Sequence, residues 1–376
     1  PWEPVLKEDK LYGRGGADDG YAMFAALSAL LALKEQNIAH ARAVIVIEAC
    51  EESGSPDLPF YIEHLAGRIG EPDLVVCLDS GCGNYEQLWL TTSLRGNLTG
   101  TLTVRVLTEG VHSGAASGIV PSSFRILRSL LSRIEDEATG RMKLPELFVD
   151  IPQDRQKQAR EAAQILGDGV WQGLPFAGKT KPMAAEHRPG ERSEPSAMQP
   201  SNEINSEIIL EKTWRPQLAV TAMDGYPLPA DGGNVLLPYS TAKLSLRLPP
   251  TLSAETARAA LKTALEKDPP YDADVVFDVP RGDDGWSAPT LAPWLEASLN
   301  KASRAAFGKP VAYQGEGGSI PFMAMLGRSF PKTQFVVTGV LGPHSNAHGP
   351  NEFLHIAFAK KLSAAITQLL ADHARQ

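Results

Sequence analysis

The chain has 376 residues, 43% of them hydrophobic and 21% charged, which excludes a disordered or fibrous protein and supplies enough apolar surface for a large core, most naturally divided into two domains. Its net charge of −8 comes without a basic run, so nucleic acid and anionic membrane are poor partners. The longest apolar stretch, around Ala22 to Leu33, is far shorter than a membrane span and follows helical spacing.

In chain order, a glycine-rich turn at Gly15-Gly16 leads through Asp18-Asp19 into a helix predicted from Tyr21 to Leu33. The β-branched run Val44-Ile45-Val46-Ile47 predicts a strand that ends at Glu51-Glu52, and Leu74 to Leu78 a second that ends at Asp79. This alternation is the pattern of a wound α/β sheet, which places ligands at the carboxyl ends of its strands. The character then changes. Leu98 to Val106 reads as a strand suited to a sheet edge, followed by a helix from Ser122 to Glu135, a strand from Ala242 to Leu248 and a helix from Ala254 to Glu266. Two strands with helices on one face make a small α+β unit. The α/β pattern resumes with a Pro293 to Phe307 helix, a Phe335 to Val340 strand and a final helix from Ile356 to Ala371. The α+β unit, residues 95–282, is thus inserted into a domain made of 1–94 and 283–376. Between Phe176 and Asn205 the chain is rich in Pro, Gly, Ser, Lys and Glu and reads as an extended, partly mobile surface loop.

Cys50, Cys77 and Cys82 are odd in number and lie in or beside apolar runs, so they read as reduced, buried thiols in a cytoplasmic protein. The acidic and histidine-bearing strings are more informative: Gly15-Gly16-Ala17-Asp18-Asp19-Gly20, Glu51-Glu52-Ser53-Gly54, Leu78-Asp79-Ser80-Gly81, Val111-His112-Ser113-Gly114 and His348-Gly349-Pro350-Asn351-Glu352. Each has an ordinary reading when taken singly. Asp18 could cap a helix, Glu51-Glu52 could be a solvated pair, and Asp-Ser-Gly is a common turn. His344 and His348 have the spacing of a helical zinc pair, but Gly342, Pro343, Asn346, Gly349 and Pro350 argue for a loop. Together, carboxylates and an imidazole at strand ends are what a pair of hydrolytic zinc ions requires.

In that order the five strings resemble the two-zinc exopeptidase family of carnosine dipeptidases, aminoacylases, succinyl-diaminopimelate desuccinylase and glutamate carboxypeptidases, with the carnosine dipeptidase branch most similar. The resemblance runs from Leu11-Tyr12-Gly13-Arg14-Gly15 to the C-terminus and includes Gly315-Glu316-Gly317-Gly318-Ser319-Ile320-Pro321. It implies a catalytic domain with an inserted lid and dimerisation domain. It makes Asp18 the carboxylate bridging both metals, with a cis peptide to Asp19. Asp79 belongs to the first metal, and Glu52 and His348 to the second. Glu51 is the general base, and His112 binds the oxyanion from the partner chain of a homodimer. Arg247 and Ser319 hold a substrate carboxylate, and Asn234 touches substrate. Zinc is the implied metal, with manganese or cobalt possible, and a small peptide is the implied substrate.

Members of the family also carry an earlier His-x-Asp, which supplies the first metal's His. Here the chain opens at Pro1-Trp2-Glu3-Pro4, and none of its eight histidines is followed two places later by Asp. The resemblance therefore places the family's first strand, first helix and this His outside the sequence. Hydrolysis of a peptide bond beside a free C-terminal carboxylate is the leading expectation. An N-acyl amino acid amidohydrolase and an inactive homologue are the alternatives.

Overall fold

The computed structural model describes residues 2–183 and 201–376. Residues 184–200, within the expected surface loop, lie outside the described residues. The loop ends sooner than its composition suggests, because Ser201–Thr213 is a helix.

Two parallel pairs form the centre of the first layer. Leu74–Cys77 runs beside Gln334–Val337, and Trp89–Leu94 beside Ala312–Glu316, with Trp286–Ser287 antiparallel on the far side of Trp89–Leu94. Lys10–Tyr12 pairs with Val5–Lys7 and with Phe353–His355, so the start and end of the chain share one small sheet. The helices Tyr21–Glu35, Pro293–Phe307 and Ile356–His373 pack on this layer, close to their expected bounds. Tyr21, Ala25, Ala29 and Leu33 recur at four-residue spacing and form the buried stripe of the first helix. They enter a core with Trp89, Leu299, Val336 and Leu362. A mixed α/β fold is therefore observed, as the alternation predicts.

The Val44 to Ile47 strand is not formed. These residues have no ladder, and their exposures range from 42% to 68%. Among the described residues no strand lies alongside them, and β-branched composition alone does not hold a strand without a partner. The outward face of the Tyr21–Glu35 helix is likewise exposed, at Phe24 and Leu31. Cys50, just after this run, is exposed, which corrects its expected burial; Cys77 and Cys82 are buried free thiols.

A second core lies within residues 95–282. Four antiparallel strands, in the order Asp274–Asp283, Gly96–Arg105, Tyr239–Leu248 and Gln217–Asp224, carry the helices Ser123–Ile134 and Ala254–Glu266. Leu98, Leu102, Leu244 and Leu246 are fully buried there, and each contributes roughly 1.5–3 kcal/mol by leaving water. Among the described residues, four strands form this sheet in place of the two expected. Gly96–Arg105 is interior and not an edge; among the described residues the edges are Gln217–Asp224 and Asp274–Asp283. The helices Gln153–Leu166 and Ser201–Thr213, though within 95–282, bury Ala159, Ala162, Ala163, Ile209 and Leu210 in the first core. Among the described residues no helix is long and apolar enough to cross a membrane.

Candidate active site

Asp18 and Asp19 sit where the glycine-rich turn meets the first helix, and their shared peptide is cis, as the family resemblance implies. Gly20 closes this turn by donating its N–H to Gly15 O at 2.8 Å. A Cβ on Gly20 would stand 2.7 Å from that same oxygen, so no larger residue fits. Tyr21 then donates its hydroxyl to Leu78 O, fixing the helix start beside Asp79.

Glu51 and Glu52 occupy a single 3₁₀ turn, Glu51–Ser53, and not the end of a strand. The missing ladder of the preceding run explains the difference. The turn is anchored from the second core, because Arg281 Nη2 donates to Gly54 O at 2.6 Å. Glu51 is half-buried and Glu52 exposed, so the adjacent carboxylates still diverge. His348 lies in a loop with positive φ at His344, Asn346 and His348, which agrees with the loop expected from its glycines and prolines.

The cluster these elements make is compact. His348 Nε2 is 2.9 Å from Asp18 Oδ2 and 2.8 Å from Glu52 Oε1, and ligand atoms of all three residues lie within 4.8 Å of one another. One imidazole and two carboxylates form a donor set that suits a zinc ion. The surrounding field also suits a cation. Burial, reinforced by Asp19, Glu51, Asp18 and Glu52, pushes Asp79 up to about 8. Burial and then Glu52 push Glu51 up to about 7, and burial and then Asp18 push Asp19 up to about 6. Asp18 is raised by burial and by Glu52, with His348 opposing. Burial would lower His348, but its hydrogen bond to Glu52 and the charges of Glu52 and Asp18 outweigh this and raise it. Mutual repulsion of carboxylates held this closely is relieved by a bound divalent ion. Asp79 shares the field but stands outside the tight triad.

Other expected residues fall into two groups. Arg247 Nη1 donates to Ser319 Oγ at 3.2 Å, which joins residues 72 positions apart. His112 pairs with Val235 in a two-stranded ribbon, and Ser113 N donates to Asn234 O, so His112 and Asn234 are neighbours. Both are exposed, and among the described residues no hydrogen bond or ion pair joins them to the triad. Two further residues shape the site. Glu352, with its side chain 1% exposed, accepts from Ala17 N and Asp18 N and pairs with Arg14, which also donates to Gly349 O. Both stand in the quoted strings, so the strings held the signal without assigning a role.

A carboxylate–imidazole cluster at the loops of a wound α/β layer defines a metallohydrolase type of site. The model of the peptidase family M20/M25/M40 matches residues 1–372, and the chain belongs to this family. It is 25% identical over 373 residues to a cysteinylglycine-S-conjugate dipeptidase of Corynebacterium striatum, covering 96% of this chain and 74% of the relative. It is 22% identical over 270 residues to the beta-Ala-His dipeptidase of Rattus norvegicus, covering 71% of this chain but only 50% of that protein. Among solved structures it resembles the di-peptidase Dug1p of Saccharomyces cerevisiae with a TM-score of 0.72 and 18% identity, over 99% of this chain and 75% of the other.

Proposed function

We propose that this chain hydrolyses the peptide bond beside a free C-terminal carboxylate, as a dipeptidase or carboxypeptidase of small peptides. The observation that carries this reading is the Asp18–Glu52–His348 cluster within the field of Glu51 and Asp79. Relatives named as dipeptidases support the substrate class. Asp18, Glu52 and His348 would hold one divalent ion, and Asp18 with Asp79 part of a second. Zinc suits the mixed oxygen and nitrogen donors, with manganese or cobalt as substitutes. Such ions supply Lewis-acid polarisation of the scissile carbonyl and make water acidic enough to attack.

Glu51 takes the proton from the attacking water and returns it to the leaving amine. Its elevated proton affinity is suited to a base working near neutrality, and cation binding beside it would draw that affinity down. Arg247 and Ser319, already hydrogen-bonded, orient the substrate carboxylate. His112 donates to the oxyanion, and Asn234 beside it touches substrate. Residues 95–282 act as a lid over the domain built from 1–94 and 283–376. The lid joins two chains in a homodimer through its exposed edge strand Gln217–Asp224. The buried free thiols Cys77 and Cys82 suit the reducing cytoplasm.

The test is metal analysis of the chain, followed by turnover of glycylglycine and of N-acetylglycine in a form that carries the implied His-x-Asp segment ahead of Pro1. One tightly held zinc ion, lost on His348→Ala, and turnover of the dipeptide are expected. Zinc retention by His348→Ala would remove the metal assignment. Turnover of only the N-acetyl amino acid would make the protein an amidohydrolase.

A further inference from the structure

Arg95 immediately precedes the Gly96–Arg105 strand and is 8% exposed. Its backbone N–H donates to Gly318 O at 3.2 Å and its Nε to Gly317 O at 3.0 Å. The loop is pressed against it: a Cβ on Gly317 would meet Lys212 O at 3.1 Å and Arg95 Nη2 at 3.2 Å. Arg95 Nη1 is buried and, among the described residues, has no hydrogen-bond partner.

A second guanidinium approaches from the neighbouring strand. Arg247 lies opposite Asn97 in the ladder and reaches Ser319, two residues beyond Gly317. Burial and the charge of Arg247 together push Arg95 down to about 10, and burial lowers Arg247. Among the described residues, neither guanidinium has a carboxylate partner. The adjacent Glu316 is engaged elsewhere, accepting from Gln314 Nε2 at 2.6 Å and facing the charge of Lys212. Like charges held together in a poorly solvated place oppose folding unless a ligand supplies the missing negative charge. Arg95 and Arg247 therefore frame the Gly317–Ser319 loop as an anion site, and the unpartnered Nη1 is the group still lacking an acceptor.

We propose that Arg95 is a second cation of the carboxylate subsite, acting with Arg247 and Ser319 to select substrates with an anionic end over those ending in a neutral amide. The inference rests on the carboxylate role given to Arg247 under the proposed function and adds a specificity-determining residue to it. Arg95 holds the carbonyl of Gly317 through Nε and supplies positive potential where solvent screening is weak. No bond is made or broken in this role. Its signature is discrimination between charged and neutral ends.

The experiment is calorimetric binding of glycylglycine and glycylglycinamide to the zinc-loaded chain and its variants. The wild type is expected to favour the acid by roughly tenfold or more, as loss of one partner in a desolvated charge contact implies. Arg247→Met and Arg95→Met should each bring the acid-to-amide ratio close to one, the acid losing far more affinity than the amide, while Arg95→Lys retains most of the preference. An Arg95→Met ratio equal to wild type overturns the inference, as does an equal loss of affinity for acid and amide, which would mark a structural role. If Arg95→Met does not fold, Arg95→Gln is judged by the same criteria. A wild-type ratio near one overturns the carboxylate subsite itself. Collapse of the ratio in Arg247→Met but not in Arg95→Met overturns this inference alone.

Discussion

Arg14 and Glu352 stand 338 positions apart, yet Arg14 Nη1 donates to Glu352 Oε2 at 2.7 Å. The other oxygen of Glu352 accepts from Ala17 N and Asp18 N, both at 3.2 Å, while Arg14 Nη2 reaches Gly349 O at 2.6 Å. One ion pair thereby sets the loop bearing Asp18 against the loop bearing His348. Supporting hydrogen bonds of this kind orient metal-binding side chains and tune their affinity.

Glu352→Gln is accordingly expected to weaken zinc binding by about 10–100-fold. Loss of the charged hydrogen bonds should lower stability by roughly 1–3 kcal/mol. Arg14→Met should act in the same direction, because it removes both contacts at once. Competition titration with a chelator measures the affinity, and denaturant unfolding the stability. Unchanged zinc affinity in both variants would show that the pair only staples the chain ends.

The metal-free protein should lose stability as pH rises. Asp19, Glu51 and Asp79 are pushed up to about 6, 7 and 8 from ordinary values of 3.8, 4.5 and 3.8. Between the ordinary and raised values the folded chain keeps protons that the unfolded chain has released. Proton linkage then makes unfolding easier with increasing pH across that window. Bound zinc should reverse much of the loss above neutrality, because it replaces the protons as counter-charge. Thermal melts with chelator, set against melts with zinc from pH 5 to 8, test this. A chelated melting temperature that is flat or rises over the range contradicts it.

Glu51→Gln should reduce turnover by about 10²–10⁴-fold while leaving metal content intact, since it removes proton transfer and not coordination. Activity is assayed in the form carrying the implied His-x-Asp segment, and metal content in the same preparation. Loss of metal together with activity would make Glu51 a ligand.

Much of this arrangement is legible locally, and the exceptions share one physical cause. The Pro293–Phe307 helix falls on its expected bounds, because proline at the start and Gly308 at the end are local signals. The residues of the triad stand in short loop strings whose composition is itself the signal. Ladder membership is different, because it depends on partners elsewhere. Val44 to Ile47 has strand composition but no partner among the described residues. Conversely, Asp274–Asp283 escapes notice although Val275, Phe277 and Val279 alternate inward along it. Arg95 is equally silent in sequence; its meaning comes from burial and from a guanidinium on the next strand.

The last expectation concerns His112. It is exposed on the Val111–His112 and Val235–Leu236 ribbon, and among the described residues no hydrogen bond or ion pair ties it to the triad of its own chain. A partner chain that presents His112 to this site would explain an exposed imidazole at the end of so short a ribbon. The edge strand Gln217–Asp224, exposed from Ala219 to Asp224, offers on the side away from Tyr239–Leu248 backbone that no other described strand pairs with, available for a two-fold contact. Mixing inactive His112→Ala and Glu51→Gln chains, both carrying the implied N-terminal segment, should then regenerate activity. Random reassortment makes about half of the dimers hybrid, and each hybrid has one site with intact Glu51 and intact His112, so recovery approaches about one quarter of the wild-type level. Sedimentation establishes the dimer, and mass spectrometry of differently tagged chains establishes exchange. A monomer, or no recovery once exchange is demonstrated, would confine His112 to its own chain and leave the Asp18–Glu52–His348 chemistry untouched.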